Sequence, residues 1–354
     1  MIKVLTILPS LSMGGAENMA YELIKNLDQT KYEPTVICYG PKRGTVLERK
    51  MERVCDVVYL NIDESITPIH VFSVMRKISS FHPDIIHSHM GGVTFAIPWC
   101  RFHHKPLVIT VHTRPNKAFS SRNQTQIRSF IKSGLLKIVA VSQENYKLLA
   151  DFYSINDDRL RYINNGIDVD RFYRKEHELF TFINVARQDD NKNQAAIIRT
   201  FKRIHENNEN TRLYLIGDGP CHDDLISLAQ ELGLSDCVYI PGQVECPEEY
   251  YAISDVYVQS SHREAMPLSV LEALAAGLII VSTDVGGLRD VVKSNGILVP
   301  DNDENKLYDA LNDIISLETE SITRLNGTSR EISSDYSSLK MAKAYSAIYE
   351  EMVD

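Results

Sequence analysis

Along the chain, short runs of Val, Ile, Leu and Phe bounded by Gly, Pro, Asn or Asp alternate with longer segments whose apolar residues recur at helical spacing. The short runs read as strands and the longer segments as amphipathic helices, and their alternation predicts βαβ units built on parallel sheets. Strands are expected at 2–8, 34–38, 56–60, 84–87, 107–111, 137–141 and 160–163 in the first half. In the second half they are expected at 181–185, 212–216, 238–240, 256–259, 278–282 and 296–299. The predicted fold is α/β, two tandem Rossmann-like doubly wound domains. The segment NNGIDVDRF, 164–172, breaks regular structure and marks the boundary, giving domains over 1–164 and 165–336. A last helix over 337–352 places Leu339, Ala342, Tyr345, Ile348 and Tyr349 at helical spacing, so its apolar face needs a surface to pack on. In sheets of this kind ligands bind beyond the carboxyl ends of the strands, which predicts a site where the two domains face one another across a cleft.

Composition narrows the class. The chain has 354 residues, enough for two cores. MIKVLTILPS reads as a buried first strand and not as an export signal, and no apolar run approaches a membrane span. The six cysteines are scattered, with no Cys-x-x-Cys pair, which is the pattern of reduced thiols in a cytoplasmic protein. The net charge of −9 hides an asymmetry. Residues 1–165 carry 21 Lys and Arg against 14 Asp and Glu, whereas 166–354 carry 17 against 33. A basic first half suits an anionic partner such as phospholipid head groups, a phosphorylated acceptor or nucleic acid, or is simply an unevenly solvated surface.

Four stretches follow predicted strands. In LPSLSMGGAEN, Gly14 and Gly15 precede a helix, so they form either a plain turn or a bare-backbone approach for an anion. The third glycine of a dinucleotide fingerprint is missing. His87, His89 and His112 end strands, and without carboxylates at metal spacing they do not suggest zinc. The segment 112–137 holds six Lys and Arg, among them Arg114, Lys117, Arg122, Arg128 and Lys132, and no acid. It suits a membrane surface or anionic acceptor, or is a solvated loop and helix. In FINVARQDDNKNQ, Arg187 and Lys192 could neutralise charge on a departing diphosphate. In SSHREAMPLSVLEALAAG, Pro267 suits the first position of a helix whose amides face an anion. Glu264 precedes that helix, and Glu272 lies inside it among apolar neighbours, where a carboxylate needs a hydrogen-bonding partner.

Together these stretches resemble one family, the retaining GT-B-fold glycosyltransferases of family four, of the bacterial surface-polysaccharide type. The marks are GGAE at 14–17, PDIIHSH at 83–89, TVHT at 110–113, AVS at 140–142, NGID at 165–168, AR with NKN within 186–193, IGDGP at 216–220 and the Glu264-x7-Glu272 pattern. The resemblance implies roles. Arg187 and Lys192 match the pair that grips the diphosphate, Glu264 the glutamate that holds the transferred sugar, and Glu272 the one that bonds the ribose. Backbone atoms of Ala265, Met266 and Leu268 would face phosphate and sugar. Gly14 and Gly15 would lie close to the diphosphate, Val244 would read the base and His112 would stand beside the reacting sugar. The last helix would cross back onto the first domain.

The implied activity is metal-free, retaining transfer of a hexosyl or N-acetylhexosaminyl unit from a nucleotide sugar. A lipid-linked or polysaccharide acceptor at the inner face of the membrane would receive it. A UDP-sugar is the expected substrate and no cofactor or nucleic acid is expected; GDP-mannose or a non-catalytic binding subunit are the alternatives. The departures are Ala186 for a usual glycine, Ala265-Met266-Pro267 for a glycine-rich turn, and Ile279 for a usual proline. None removes a charged residue.

Overall fold

The computed structural model describes residues 1–12, 14–62 and 66–353, so Met13 of the Gly-Gly stretch lies outside the described residues. The chain forms two compact units, one of Met1–Gly166 with Ser338–Asp354, the other of Ile167–Ser337.

In the first unit, β1 (Ile2–Leu8), β2 (Tyr32–Cys38), β3 (Asp56–Tyr59), β4 (Ile85–His89), β5 (Leu107–Val111), β6 (Leu136–Ala140) and β7 (Leu160–Tyr162) form one parallel sheet in the order β3-β2-β1-β4-β5-β6-β7. The second unit repeats the plan. Its strands β8 (Phe180–Val185), β9 (Thr211–Ile216), β10 (Val238–Gly242), β11 (Val256–Gln259), β12 (Ile279–Thr283) and β13 (Gly296–Val299) run in the order β10-β9-β8-β11-β12-β13. Each sheet reverses its winding once, between β1 and β4 and between β8 and β11, which is where open α/β sheets leave a crevice for ligands.

Helices cover both faces, so the central strands β4, β5, β6, β11 and β12 are buried along their length and do not alternate. Leu5, Ile7, Ile86, Ile109 and Ile138 pack with Phe95, Trp99, Ile127 and Phe130 on one side of the first sheet. Leu8, Val36 and Cys38 pack with Ala20, Ile24, Leu47 and Met51 on the other. In the second unit Phe182, Leu215, Val258 and Val281 lie against Ile197, Phe201, Leu307 and Leu311.

The final helix, Ser338–Val353, belongs to the first unit and buries Met341, Ala342, Tyr345, Ile348 and Tyr349. Leu339, expected on that face, is 58% exposed, because at 3.6 residues per turn it lies roughly 120° round the helix from Tyr345. Acidic residues at the end of this helix pair with the sheet. Glu351 meets Lys137 and Arg161, and Glu350 accepts from Tyr32 at 3.0 Å. Lys137 is thus buried and paired, not a surface cation of the basic segment. Among the described residues no helix is long and apolar enough to cross a membrane.

Candidate functional site

The second unit concentrates the predicted residues at the reversal between β8 and β11. Beyond β8 the chain turns through Asp189–Lys192, with the Lys192 amide bonded to the Asp189 carbonyl at 3.0 Å, and enters the helix Gln194–Asn207 from Asn193 at φ 49°. Beyond β11, Ser260 Oγ donates to the carbonyls of Lys192 (3.0 Å) and Asn193 (2.7 Å), and the His262 amide donates to the Asn191 carbonyl. These bonds seat the two loops against each other. The result is a 2.5 Å ion pair between Lys192 Nζ and Glu264 Oε1, with side chains only 19% and 10% exposed.

Glycines shape the surrounding walls. Gly286 has φ 60°, and a Cβ there would collide with the Glu264 carbonyl oxygen; the next amide, Gly287, donates to Ala265 O at 2.6 Å. Gly217 and Gly219 lie against the carbonyls of Ala186 and Gln188 in the same way, so the loop after β9 closes on the strand end that carries Arg187. Arg187 itself projects outward, 70% exposed and 3.7 Å from Asp189, and does not join the Lys192–Glu264 pair.

Pro267 is the N-cap of the helix Leu268–Ala275 and not its first helical residue. Its φ of −71° suits either place, but its ψ of 129° is extended, so the helix starts one residue later. Among the described residues no side chain caps this helix, and its first amides lack partners within it. Met266 and Leu268 bury their side chains and anchor the turn from within, while Ala265 and Glu264 are half-buried. Glu272 has the hydrogen-bonding partner that its apolar neighbours demanded. Tyr251 donates its phenol to Glu272 Oε2 at 3.0 Å and also reaches the Ser269 carbonyl at 3.1 Å. Burial, and then the carboxylate itself, hold the Tyr251 phenol well above its ordinary pKa, so it remains a donor. Tyr251 sits on the short helix Pro247–Ala252, just after half-buried Val244.

In the first unit the corresponding reversal lies between β1 and β4. Gly14 caps the helix Gly15–Lys25, and a Cβ on it would strike the Glu17 carboxylate, whereas a Cβ on Gly15 would meet nothing within 4 Å. At the ends of β4 and β5, His89 Nδ1 lies 2.9 Å from His112 Nε2. His87 is buried, with both ring nitrogens bonded. Among the described residues no group of His, Cys, Asp and Glu could hold a metal ion.

The basic segment folds as Pro115–Ala118 and Ser121–Ile131. Arg114 pairs with Glu144 at 3.3 Å, and Arg128 lies 4.8 Å over the Phe152 ring and 5.1 Å over Tyr153. Lys117, Arg122 and Lys132 are exposed.

Two sequence models divide this chain between them. Residues 13–171 match "Glycosyltransferase Family 4" and residues 168–331 match "Glycosyl transferases group 1". The chain belongs to the GT-B group 1 glycosyltransferases. Among curated relatives, this chain is 25% identical over 60% of its length to an uncharacterized glycosyltransferase, MJ1059, of Methanocaldococcus jannaschii. It is 27% identical over 58% of its length to the N-acetylgalactosamine-N,N'-diacetylbacillosaminyl-diphospho-undecaprenol 4-alpha-N-acetylgalactosaminyltransferase of Campylobacter jejuni. The matches span 58% and 59% of those two proteins, so the chain spans less than two thirds of the length of either. Among solved structures, Alr3699/HepE of Anabaena in complex with UDP superposes with a TM-score of 0.83 at 17% identity, covering 99% of this chain and 100% of that one.

Three features of this chain escaped sequence reasoning: Tyr251 behind Glu272, the direct bond between His89 and His112, and Gly286 under Glu264. Only Gly286 carried a signal, as part of the Gly-Gly that closes the stretch after Glu272.

Proposed function

We propose that the chain transfers a hexosyl or N-acetylhexosaminyl unit from a UDP-sugar to a lipid-linked glycan acceptor, with retention of configuration and without a metal. The observation that carries this reading is the Lys192–Glu264 pair at the reversal between β8 and β11. A cation and an anion held together there are two halves of a site for a charged, hydroxyl-rich ligand. When a nucleotide sugar enters, Lys192 turns to the diphosphate and Glu264 accepts hydrogen bonds from hydroxyls of the sugar. Arg187, exposed and loosely paired, swings onto the phosphates, and the amides at the start of Leu268–Ala275 add their dipoles.

Glu272, aimed by Tyr251, bonds the ribose, and backbone atoms near Val244 read the base. These groups stabilise the charge that develops on the leaving diphosphate, and this is the main chemical demand of glycosyl transfer. Attack on the same face as the departing phosphate accounts for retention, which the anomeric coupling constant of the product reads directly. UDP is favoured by the Anabaena neighbour's UDP complex, and a lipid-linked acceptor by the diphospho-undecaprenol in the Campylobacter relative's name.

Such an acceptor places the protein in the cytoplasm, at the inner face of the membrane. Support for peripheral contact with anionic lipid comes from the first unit's outer helical layer. Exposed Lys117, Arg122 and Lys132 share that layer with Ile69, Phe72 and Phe102, which are 77%, 66% and 77% exposed. The helices Pro68–Phe81, Val93–His103 and Ser121–Ile131 are tied together by Trp99 to Ser79 (2.8 Å) and Arg101 to Ser129 (3.1 Å). Cations beside apolar tips suit a lipid surface. A panel of nucleotide sugars screened for thermal stabilisation tests the substrate assignment, because a ligand of the folded state raises its apparent stability. UDP-sugars should give the largest shift, and no shift with any nucleotide sugar would refute the reading.

A further inference from the structure

His112 directly follows β5 and is half-buried, its ring nearly parallel to that of His89, with centroids 5.2 Å apart and planes at 23°. The 2.9 Å contact between His89 Nδ1 and His112 Nε2 holds one proton, so one ring donates and the other accepts. His89 is fully buried, and among the described residues its other nitrogen, Nε2, has no hydrogen-bond partner. That nitrogen decides the direction. If His112 donated, His89 would carry its own proton on Nε2 and bury an N–H with nothing to bond. If His89 donates from Nδ1, Nε2 is left as a lone pair, and orphaned acceptors are better tolerated in interiors than orphaned donors. Both rings stay neutral, since burial pushes His89 well below its ordinary pKa and His112 down to about 4.

The pair is braced from behind. His87 Nδ1 meets the Tyr349 hydroxyl at 2.7 Å and Nε2 meets Thr110 Oγ1 at 2.8 Å; Thr110 in turn meets the Tyr345 hydroxyl at 2.8 Å. The His87 ring lies 4.2 Å, centroid to centroid, from His89. Two tyrosines of the helix Ser338–Val353 therefore fix His87, and His87 limits where the His89 ring can go.

We propose that His89 is a positioning residue that holds His112 as the Nδ1-protonated tautomer, so that His112 presents an N–H donor, and not a base, to an oxygen of a bound ligand. An unconstrained imidazole in water favours the opposite, Nε2-protonated form. His112 Nδ1 has no protein partner among the described residues, which leaves it available to a substrate. The ligand contact rests on the functional reading above; the tautomer does not.

The test is long-range 1H–15N correlation on 15N-histidine-labelled protein between pH 5.5 and 8, with the His112 signals assigned by their loss in His112→Asn. Wild type should show protonated Nδ1 and bare Nε2 on His112 across this range. In His89→Phe, which removes the partner but keeps a ring, His112 should revert to Nε2–H, with about a three- to tenfold loss in kcat/KM, the size of one neutral hydrogen bond. His89→Gln, whose amide can still donate, should restore the tautomer and most of the rate. An Nε2-protonated His112 in wild type, or an unchanged tautomer in a folded His89→Phe, would overturn the proposal. The expected tautomers in a protein that binds no nucleotide sugar would support the positioning role and sink the ligand contact.

Discussion

Replacing Tyr251 by Phe removes one oxygen from the second unit and leaves the ring in place. That ring is fully buried, in edge contact with Phe172 at 5.6 Å and stacked on Tyr257 at 6.3 Å, so packing should survive and the hydrogen bonds to Glu272 and the Ser269 carbonyl should not. A hydrogen bond to a charged acceptor contributes about 1.5–3 kcal/mol. A loss of about 2 kcal/mol in a unit of this size lowers its Tm by about 4–8 °C. The functional effect is separate. Once the phenol no longer aims it, Glu272 spends less time facing the ribose, and loss of about 1.4 kcal/mol of binding weakens UDP affinity about tenfold. Differential scanning fluorimetry reads the first quantity and isothermal titration with UDP the second. A lowered Tm with unchanged UDP affinity would mean that Tyr251 stabilises the fold without orienting a ligand group. Wild-type values for both would mean that the bond to Glu272 contributes nothing.

Three further outcomes are expected. Beneath the second sheet, His177 Nε2 lies 2.8 Å from Asp255, and that hydrogen bond raises the histidine's pKa above its ordinary 6.5. A raised folded value means stabilisation that is fully present below about pH 6.5 and lost as pH climbs through the folded pKa; the wild-type Tm should therefore fall over that window relative to His177→Gln, and parallel curves would contradict it. Transfer should proceed at an unchanged rate in EDTA, and strong inhibition that magnesium or manganese reverses would contradict metal-free chemistry. Charge reversal at Lys117, Arg122 and Lys132 together should reduce co-sedimentation with anionic vesicles several-fold without lowering Tm, and undiminished binding would identify the segment as a solvated face.

The strands were legible because parallel strands covered on both faces are nearly continuous apolar runs. All thirteen lie within two residues of their expected ends, even the three-residue β7. Chain reversals were legible where Asn-Gly or Gly-Gly marked them. Contacts made across the sheet were not. Lys192 and Glu264 are 72 positions apart, and their meeting depends on β8 lying beside β11, an order that no local pattern encodes. Tyr251 was hidden for the same reason, being 21 residues before the glutamate it serves. Errors of detail followed from reading one dimension at a time. Pro267 has the φ of a helix but not the ψ, Leu339 has helical spacing from Ala342 but lies off the buried stripe, and Lys137 counts as a surface cation until the end of the last helix covers it.

The central claim is that the crevice holding Lys192 and Glu264 binds the diphosphate of a nucleotide sugar. Calorimetric titration of UDP into wild type and Lys192→Ala tests it most directly, since the variant removes the cation and leaves the opposing carboxylate in place. Wild type should bind, and Lys192→Ala should bind at least about thirtyfold more weakly, the loss of one charge-assisted contact of about 2 kcal/mol joined by repulsion from the unpaired Glu264. Equal affinity in the two proteins, with the variant folded, would place the diphosphate elsewhere and contradict the account.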